Sequence, residues 1–464
     1  MIRKVLNVQG MVFLALAGVM MIPACVDLSQ NAGLGFIISG MFCCFLGGVL
    51  FLSYENKEAL ILREKILSML LTCISVPLLA SLPFFTASIS GTSFLDCFFE
   101  TTSALTTTGG SIIPNARDLS DGLLLWRSLL QLFGGIGFIA LWIYVLPNFW
   151  IPAVAWNYMG RTALWTRYLK ILGAVYVISA AVGSLLLAGT GMAAMEAVCS
   201  ALDAVSSGGI SGITPPAGHW KLILLVLMFI SGVPITILKN LETVGSAAFH
   251  ERQFLCYCLV IFIGSMAMLV YQMLFLSDSS FYDATQASLL AVVSSLTTTG
   301  CFATQKYSPV IESFLYMLSF CGGCAGSCTG GIKIFRLLMV FVIIKGHLMQ
   351  LTRRNAVYVL TYSGKKLEES DITSLFSYFL CYLIFAALTA FLLAICDMDL
   401  GQAFGAVLTS INNNGPFFGS HRATAEELYA LAPSAKVILI VSMIAGRLEF
   451  VAFAAIFTKQ FWKK

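Results

Sequence analysis

Charged side chains are scarce in this sequence: only 11% of its 464 residues are Asp, Glu, Lys or Arg, whereas 58% are hydrophobic. Soluble globular domains carry about 25% charged and about 45–50% apolar residues. The mean hydropathy of +0.89 points the same way. The composition excludes an ordinary soluble domain and predicts a chain that crosses the lipid bilayer several times.

Motifs for enzymatic chemistry are also missing. We find no Walker A motif and no hydrolytic constellation, and the GxGxxA string in "GGIGFIA" (134–140) lies in an apolar segment with no strand before it. Cys321, Cys324 and Cys328 offer three thiols without a nearby His, which is too few for a zinc or iron–sulfur site. The sequence predicts a protein that is not an enzyme, holds no covalent cofactor and binds no nucleic acid.

Long apolar runs predict ten membrane spans, at about 20 residues for each span. They lie near 6–26, 33–53, 66–88, 122–147, 168–189, 220–246, 253–276, 310–346, 372–396 and 436–458. Four semi-apolar segments are too short to cross and are typical of re-entrant helices: 92–105, 192–205, 283–297 and 400–411. Lys and Arg concentrate in alternate links, which places the N-terminus in the cytoplasm.

A glycine-containing polar turn follows each short segment. The four turns are "TTTGGS" (106–111), "VSSGGIS" (205–211), "LTTTGCF" (296–302) and "INNNGPF" (411–417). Their leading glycines, Gly109, Gly208, Gly300 and Gly415, recur at roughly 90- to 115-residue intervals, which indicates four similar units in one chain.

These turns suit a cation pathway. Irregular backbone at membrane depth is tolerated where it lines a cavity, and glycine permits the angles that aim several carbonyl oxygens at one ion. Each short helix also ends at its turn, so its negative dipole end favours a cation there. The predicted ion-binding residues are Thr107, Thr108, Gly109, Ser207, Gly208, Thr298, Thr299, Gly300, Asn413, Asn414 and Gly415.

A glycine-rich stretch interrupts a long apolar run at "CGGCAGSCTGGIKIFR" (321–336). Five of the ten residues from 322 to 331 are glycine, and each costs about 1 kcal/mol in a helix interior. One interpretation is a close helix crossing through a small-xxx-small series. The other is a break beneath the turns whose mobile loop plugs the pathway. The predicted gate residues are Gly322, Gly323, Gly326, Ser327, Gly330, Gly331, Lys333 and Arg447.

Two arginines, Arg127 and Arg447, fall inside apolar spans, where charges are costly and face a pore or a partner. Arg447 either pairs with Glu449, caps a loop carbonyl or projects into the pathway. The acids Asp96, Glu100, Asp203 and Asp283 are expected at the edges of the membrane.

These motifs resemble the TrkH/TrkG/KtrB family of bacterial potassium transporters, and the N-terminal helix pair is closer to TrkH and TrkG. The resemblance rests on "FFETTSALTTTGG", "LLLWRSLLQLFGGIGFIAL", "SSLTTTGCF", "GGCAGSCTGGIKIFR", "NNNGP" and "GRLEF", which span 98 to 450. It implies an all-α membrane protein with four M1–P–M2 repeats around one pseudo-fourfold pore.

By this resemblance, the N-terminal pair covers 1–60 and the repeats cover 61–160, 161–250, 251–368 and 369–464. The resemblance implies that the protein lies in the bacterial inner membrane and transports K+. The residues that would bind K+ are Thr108, Gly109, Ser207, Gly208, Thr299, Gly300, Asn414 and Gly415. The resemblance also implies a homodimer on a cytosolic TrkA-type ring, where the regulatory nucleotide would bind.

Three mechanisms fit the sequence. The first is a channel-like K+ uptake protein, and the second is a K+ symporter coupled to H+ or Na+, which would need a buried carboxylate relay. The third is the membrane subunit of a K+-transporting pump, which would need an ATPase partner.

Overall fold

The chain is almost entirely helical in its computed structural model. The structure describes residues 2–28, 31–54, 60–87, 91–113, 119–145, 162–209, 220–237, 241, 245–275, 280–300, 308–352, 359–362, 365–415, 417–418, 421–422, 424–448 and 450–463. Within these residues, eight helices are long and apolar enough to cross a membrane. The prediction of an all-α polytopic membrane protein is therefore confirmed.

The helices follow the predicted alternation of long and short segments. In chain order they are α1 (Ile2–Val26), α2 (Asn31–Ser53), α3 (Leu62–Ala80), α4 (Leu82–Thr86), α5 (Phe94–Leu105), α6 (Asp121–Val145), α7 (Thr162–Gly189), α8 (Ala194–Ser206), α9 (Trp220–Ser231), a 3₁₀ helix (Gly245–His250), α10 (Arg252–Phe275), α11 (Phe281–Leu296), α12 (Pro309–Cys321), α13 (Ile334–Thr352), α14 (Glu369–Ile395), α15 (Leu400–Ile411), α16 (Ala425–Tyr429), α17 (Pro433–Leu448), α18 (Phe450–Ala455) and α19 (Lys459–Trp462).

Four short helices, α5, α8, α11 and α15, stand where the re-entrant segments are predicted. Each contains 12 to 16 residues and is too short to span the bilayer at 1.5 Å per residue. Each packs against a neighbouring long helix of its own unit, and α6, α9 and α17 also pack against the short helix of the next unit. Since α17 contacts α5, the last unit also packs against the first.

Two expected spans are interrupted. The predicted helix over 220–246 is wrong: α9 ends at Ser231, because Gly232 and Pro234 follow and proline cannot donate the next helical hydrogen bond. The run over 310–346 is divided into α12 and α13, with an irregular segment at 322–333. This break agrees with the high glycine content of that segment.

Two small antiparallel hairpins were not expected from the sequence. The first pairs β1 (Thr361–Tyr362) with β2 (Lys365–Lys366), and the second pairs β3 (Phe417–Phe418) with β4 (His421–Arg422). Two-residue strands carry too little alternation to be read from a sequence. In the first hairpin, the Tyr362 ring packs edge-on against Phe335 of α13, with the centroids 5.1 Å apart.

The N-terminal helix pair is attached to the first unit through Asp27. This carboxylate, 1% exposed, accepts the Gly122 amide (2.9 Å) and the Ser120 hydroxyl at the start of α6. We expect Asp27→Ala to destabilise the protein by about 1–2 kcal/mol, since the helix loses its N-terminal cap. Thermal unfolding in detergent measures this, with Asp27→Asn as a control that keeps one acceptor oxygen. An unchanged midpoint for Asp27→Ala would contradict the attachment.

Candidate functional site

The same backbone turn follows all four short helices. In each, an amide bonds back to a carbonyl five residues earlier, inside the helix. The four bonds join Thr108 to Ser103 (2.8 Å), Gly208 to Asp203 (3.0 Å), Thr299 to Ser294 (2.9 Å) and Asn414 to Thr409 (3.0 Å). Four units of different sequence thus end their short helix in one geometry.

Backbone angles repeat in these turns as well. One residue in each turn is left-handed, with φ between 53° and 57°: Thr107, Ser207, Thr298 and Asn413. A glycine with φ between 64° and 85° stands two positions later: Gly109, Gly209, Gly300 and Gly415. Positive φ is costly for residues with a Cβ, so the paired left-handed positions explain why each turn needs its glycine.

The second turn is shifted by one residue from the sequence interpretation. Gly209 has the backbone conformation of Gly109, Gly300 and Gly415, whereas Gly208 donates the same hydrogen bond as Thr108. Sequence reasoning aligned Gly208 with the other three glycines because it comes first in "SSGG". What identifies Gly209 is its position two residues after the left-handed Ser207, which is the spacing of Gly109 from Thr107.

The four turns meet inside the protein. A Cβ on Gly109 would overlap the carbonyl oxygen of Gly208, and a Cβ on Gly209 would lie 2.9 Å from the carbonyl oxygen of Thr299. The Asn413 side-chain amide donates to the Thr108 hydroxyl at 3.1 Å, which joins the fourth turn to the first. The structure therefore brings the predicted ion-binding residues of all four turns together.

Hydrogen bonds between threonine hydroxyls stabilise the first and third turns. Thr106 and Thr108 share a hydrogen bond of 2.8 Å, and Thr297 and Thr299 share the same bond at 2.9 Å. All four threonines are at most 1% exposed. This matches the repeated "TTTG" in the first and third units.

The segment between α12 and α13 forms a loop that lies against three of the turns. Gly330 donates its amide to the Thr298 hydroxyl (2.7 Å), and Gly331 donates to the Asn412 carbonyl (3.0 Å). The Ser207 hydroxyl donates to the Cys328 carbonyl at 3.1 Å. Of the two interpretations, a break beneath the turns agrees with the structure, and a continuous helix crossing does not.

Internal hydrogen bonds fold this loop. Gly323 donates its amide to the Thr329 hydroxyl (3.1 Å), and the Ser327 hydroxyl donates to the Cys324 carbonyl (2.6 Å). The Gly326 carbonyl accepts the amide of Ile235, just after the interruption of the 220–246 run. Positive φ angles at Gly322, Gly326 and Gly331 let the loop reverse direction.

Two buried cations hold the loop in place. Lys333, 6% exposed, donates to the Thr329 carbonyl and hydroxyl. Arg447, 8% exposed, donates to the Cys328 carbonyl at 3.0 Å. Of the three predicted roles of Arg447, the contact with a loop carbonyl is the one seen here. Its possible pairing with Glu449 lies outside the described residues.

A small cavity lies between the loop and the turns. Its volume is about 40 Å³, and its lining includes Ser327, Thr329, Gly330, Lys333, Asn413 and Arg447. This space is large enough for about one or two water molecules. Gate and turn residues that are far apart in the sequence therefore share one cavity.

Three of the four acids are buried inside the protein. Asp283 is exposed, but Asp96, Glu100 and Asp203 are 5%, 2% and 1% exposed. Asp96 pairs with Lys436 at 2.6 Å, and Glu100 lies 3.5 Å from Arg127. Their burial comes from helices packing over them, which their local sequence does not reveal, and their position at the membrane edge stays a prediction.

Among the described residues, no group of three or more His, Cys, Asp or Glu side chains is arranged to hold a metal ion. The oxygen atoms at the turns are backbone carbonyls, hydroxyls and amide side chains. Such neutral oxygens replace the hydration shell of a weakly hydrated monovalent cation.

Comparisons with known proteins agree with this geometry. The sequence profile of the TrkH family, described as cation transport protein, matches residues 252–464. The chain is 29% identical to the Trk system potassium uptake protein TrkH of Vibrio parahaemolyticus, over 99% of each sequence, and 28% identical to the Trk system potassium uptake protein TrkG of Escherichia coli, over 92% and 91%. The crystal structure of the potassium transporter TrkH from Vibrio parahaemolyticus superimposes with a TM-score of 0.91, at 27% identity and over 100% of both chains.

Proposed function

We propose that this multi-pass inner-membrane protein, which is similar to the TrkH family of cation transport proteins, takes up K+ through a channel-like pore. The observation that carries the proposal is the meeting of four turns with one backbone geometry. Its relatives are named as potassium uptake proteins, which supports K+ as the transported ion.

In this proposal, the four turns form a selectivity filter. Carbonyl and hydroxyl oxygens of the first three turns and the asparagine oxygens of the fourth replace the water around K+. Gly209 takes the place of the filter glycine in the second repeat, in line with its φ of 85°. The C-terminal dipole ends of the four short helices add a favourable potential for the cation.

The loop over 322–331 is proposed as an intramembrane gate. Its hydrogen bonds to Thr298, Asn412 and Ser207 at the turns support this role, and Lys333 and Arg447 add positive charge to the cavity beside them. A cation leaving the filter meets the loop and the two charges, so the loop has to move before K+ passes.

A K+ symporter coupled to H+ or Na+ is the second candidate function. The observation that favours it is Asp203, whose carboxylate is 1% exposed and lies on α8, just before the second turn. A buried carboxylate beside the filter is a group that a coupled mechanism uses. Dependence of K+ flux on a proton or sodium gradient separates the two functions.

The assembly and orientation extend the proposal. We place the N-terminus in the cytoplasm, divide the chain into the helix pair and the four repeats given above, and expect a homodimer that docks on a cytosolic TrkA-like ring. The regulatory nucleotide then binds that ring rather than this chain. The basic links expected on the cytoplasmic side supply the docking charge.

Growth of bacteria tests the proposed uptake. We expect this chain to restore growth on low-K+ medium to a strain that lacks its own K+ uptake systems. A matched strain carrying Gly137→Ala serves as a control, since a Cβ at Gly137 meets no atom within 4 Å. Failure of a chain that is present in the membrane to restore growth, with a Trk regulatory partner also expressed, would contradict K+ uptake.

A further inference from the structure

The Glu100 carboxylate binds the residues that follow the first filter turn. Glu100 lies on α5, and its carboxylate accepts the Ser111 hydroxyl, with the two oxygens at 2.9 and 3.1 Å. The same carboxylate accepts the Ile112 amide at 2.9 Å. Because Ser111 and Ile112 come two and three residues after Gly109, Glu100 fixes where the first turn ends.

Arg127 on α6 holds that carboxylate from the other side. Its Nη1 atom lies 3.5 Å from Oε1 of Glu100, and the two residues are 3% and 2% exposed. A buried carboxylate is costly unless it is paired and hydrogen-bonded, and Glu100 has both kinds of partner. The helix that carries Arg127, α6, packs against both α5 and α8, the short helices of the first two units.

The other three units have no carboxylate at the position equivalent to Glu100. Nine residues before the turn glycines Gly109, Gly209, Gly300 and Gly415, the chain has Glu100, Ser200, Ala291 and Ala406. Packing of a generic short helix therefore does not require a carboxylate at this position. Its presence in the first unit alone points to a task specific to that turn.

We propose that Glu100 and Arg127 are positioning residues that set the ion selectivity of the filter through the first turn. The inference rests on the proposed K+ uptake and deepens it. A filter distinguishes K+ from the smaller Na+ by the number, position and stiffness of its oxygens. The hydrogen bonds from Ser111 and Ile112 to Glu100 restrain the backbone just beyond Gly109. Without these bonds, the filter oxygens of the first turn can approach a smaller ion.

The test uses the full chain in liposomes and compares Na+ flux with Rb+ flux. Glu100→Gln keeps the side-chain shape but removes the charge, and Ser111→Ala removes one partner while the buried ion pair stays. We expect Glu100→Gln to raise the Na+ to Rb+ ratio about tenfold, and Ser111→Ala to raise it less, since charge-assisted hydrogen bonds are stronger than neutral ones.

Asp96→Asn is the matched control. Asp96 lies on the same helix, is buried and pairs with Lys436, but its other contacts are with Ser93 at the start of α5, away from the turn. We expect this variant to lower thermal stability and to leave the Na+ to Rb+ ratio within about twofold of the original. If buried ion pairs only stabilised the fold, Glu100→Gln and Asp96→Asn would give the same Na+ to Rb+ flux ratio.

Two results would overturn the inference: unchanged ratios in both Glu100→Gln and Ser111→Ala, or an equal change in Asp96→Asn. If Glu100→Gln does not fold, Ser111→Ala decides alone. Equal Na+ and Rb+ flux in the unsubstituted protein would contradict the proposed function itself, and the two failures are thereby distinguishable.

Discussion

Gly109→Ala is expected to reduce K+ flux at least about 30-fold. Gly109 has φ of +73°, and a left-handed alanine costs about 1–2 kcal/mol. The added methyl group would also overlap the carbonyl oxygen of Gly208, and overpacking adds about 1–3 kcal/mol. Since each 1.4 kcal/mol is about a tenfold effect, the two costs together either collapse the filter or turn its oxygens away from the ion.

The control for this experiment is Gly137→Ala, on the helix that packs behind the same turn. A Cβ there meets no atom within 4 Å, so alanine should leave flux near the original level. Rb+ uptake into liposomes, normalised to folded protein, measures both variants. Normal uptake by Gly109→Ala would show that the turns do not form the ion pathway.

Arg447→Ala is expected to open the gate. The guanidinium of Arg447 is the group that joins α17 to the Cys328 carbonyl of the loop, and a hydrogen bond to a charged group is worth about 1.5–3 kcal/mol. In the proposed gate, losing it shifts the loop toward an open state by roughly 10- to 100-fold and removes a positive charge from the cavity between the loop and the turns. Basal K+ leak through the variant should rise accordingly.

Arg447→Gln separates the two causes, because glutamine can still donate to the carbonyl but carries no charge. A leak as large as that of Arg447→Ala assigns the barrier to charge, and a smaller leak assigns it to the hydrogen bond. A leak no higher than that of the unsubstituted protein in Arg447→Ala would contradict the gate.

Much of the architecture can be predicted because its causes are local. Apolar length separates the long helices from the four short ones, and glycine density identifies the break between Cys321 and Ile334. Local sequence does not reveal the register of the second turn, because Gly208 and Gly209 differ only in backbone angle. It also does not reveal that Glu100 and Arg127 meet, since that pair forms when α5 packs on α6.

Cation flux into liposomes that contain this chain alone tests the central claim most directly. K+, Rb+ and Na+ are compared with and without a proton gradient. Four converging carbonyl turns predict flux that favours K+ and Rb+ over Na+ and persists when the gradient is removed. Flux that disappears without the gradient, or that carries Na+ as well as K+, would contradict a K+-selective channel-like pore.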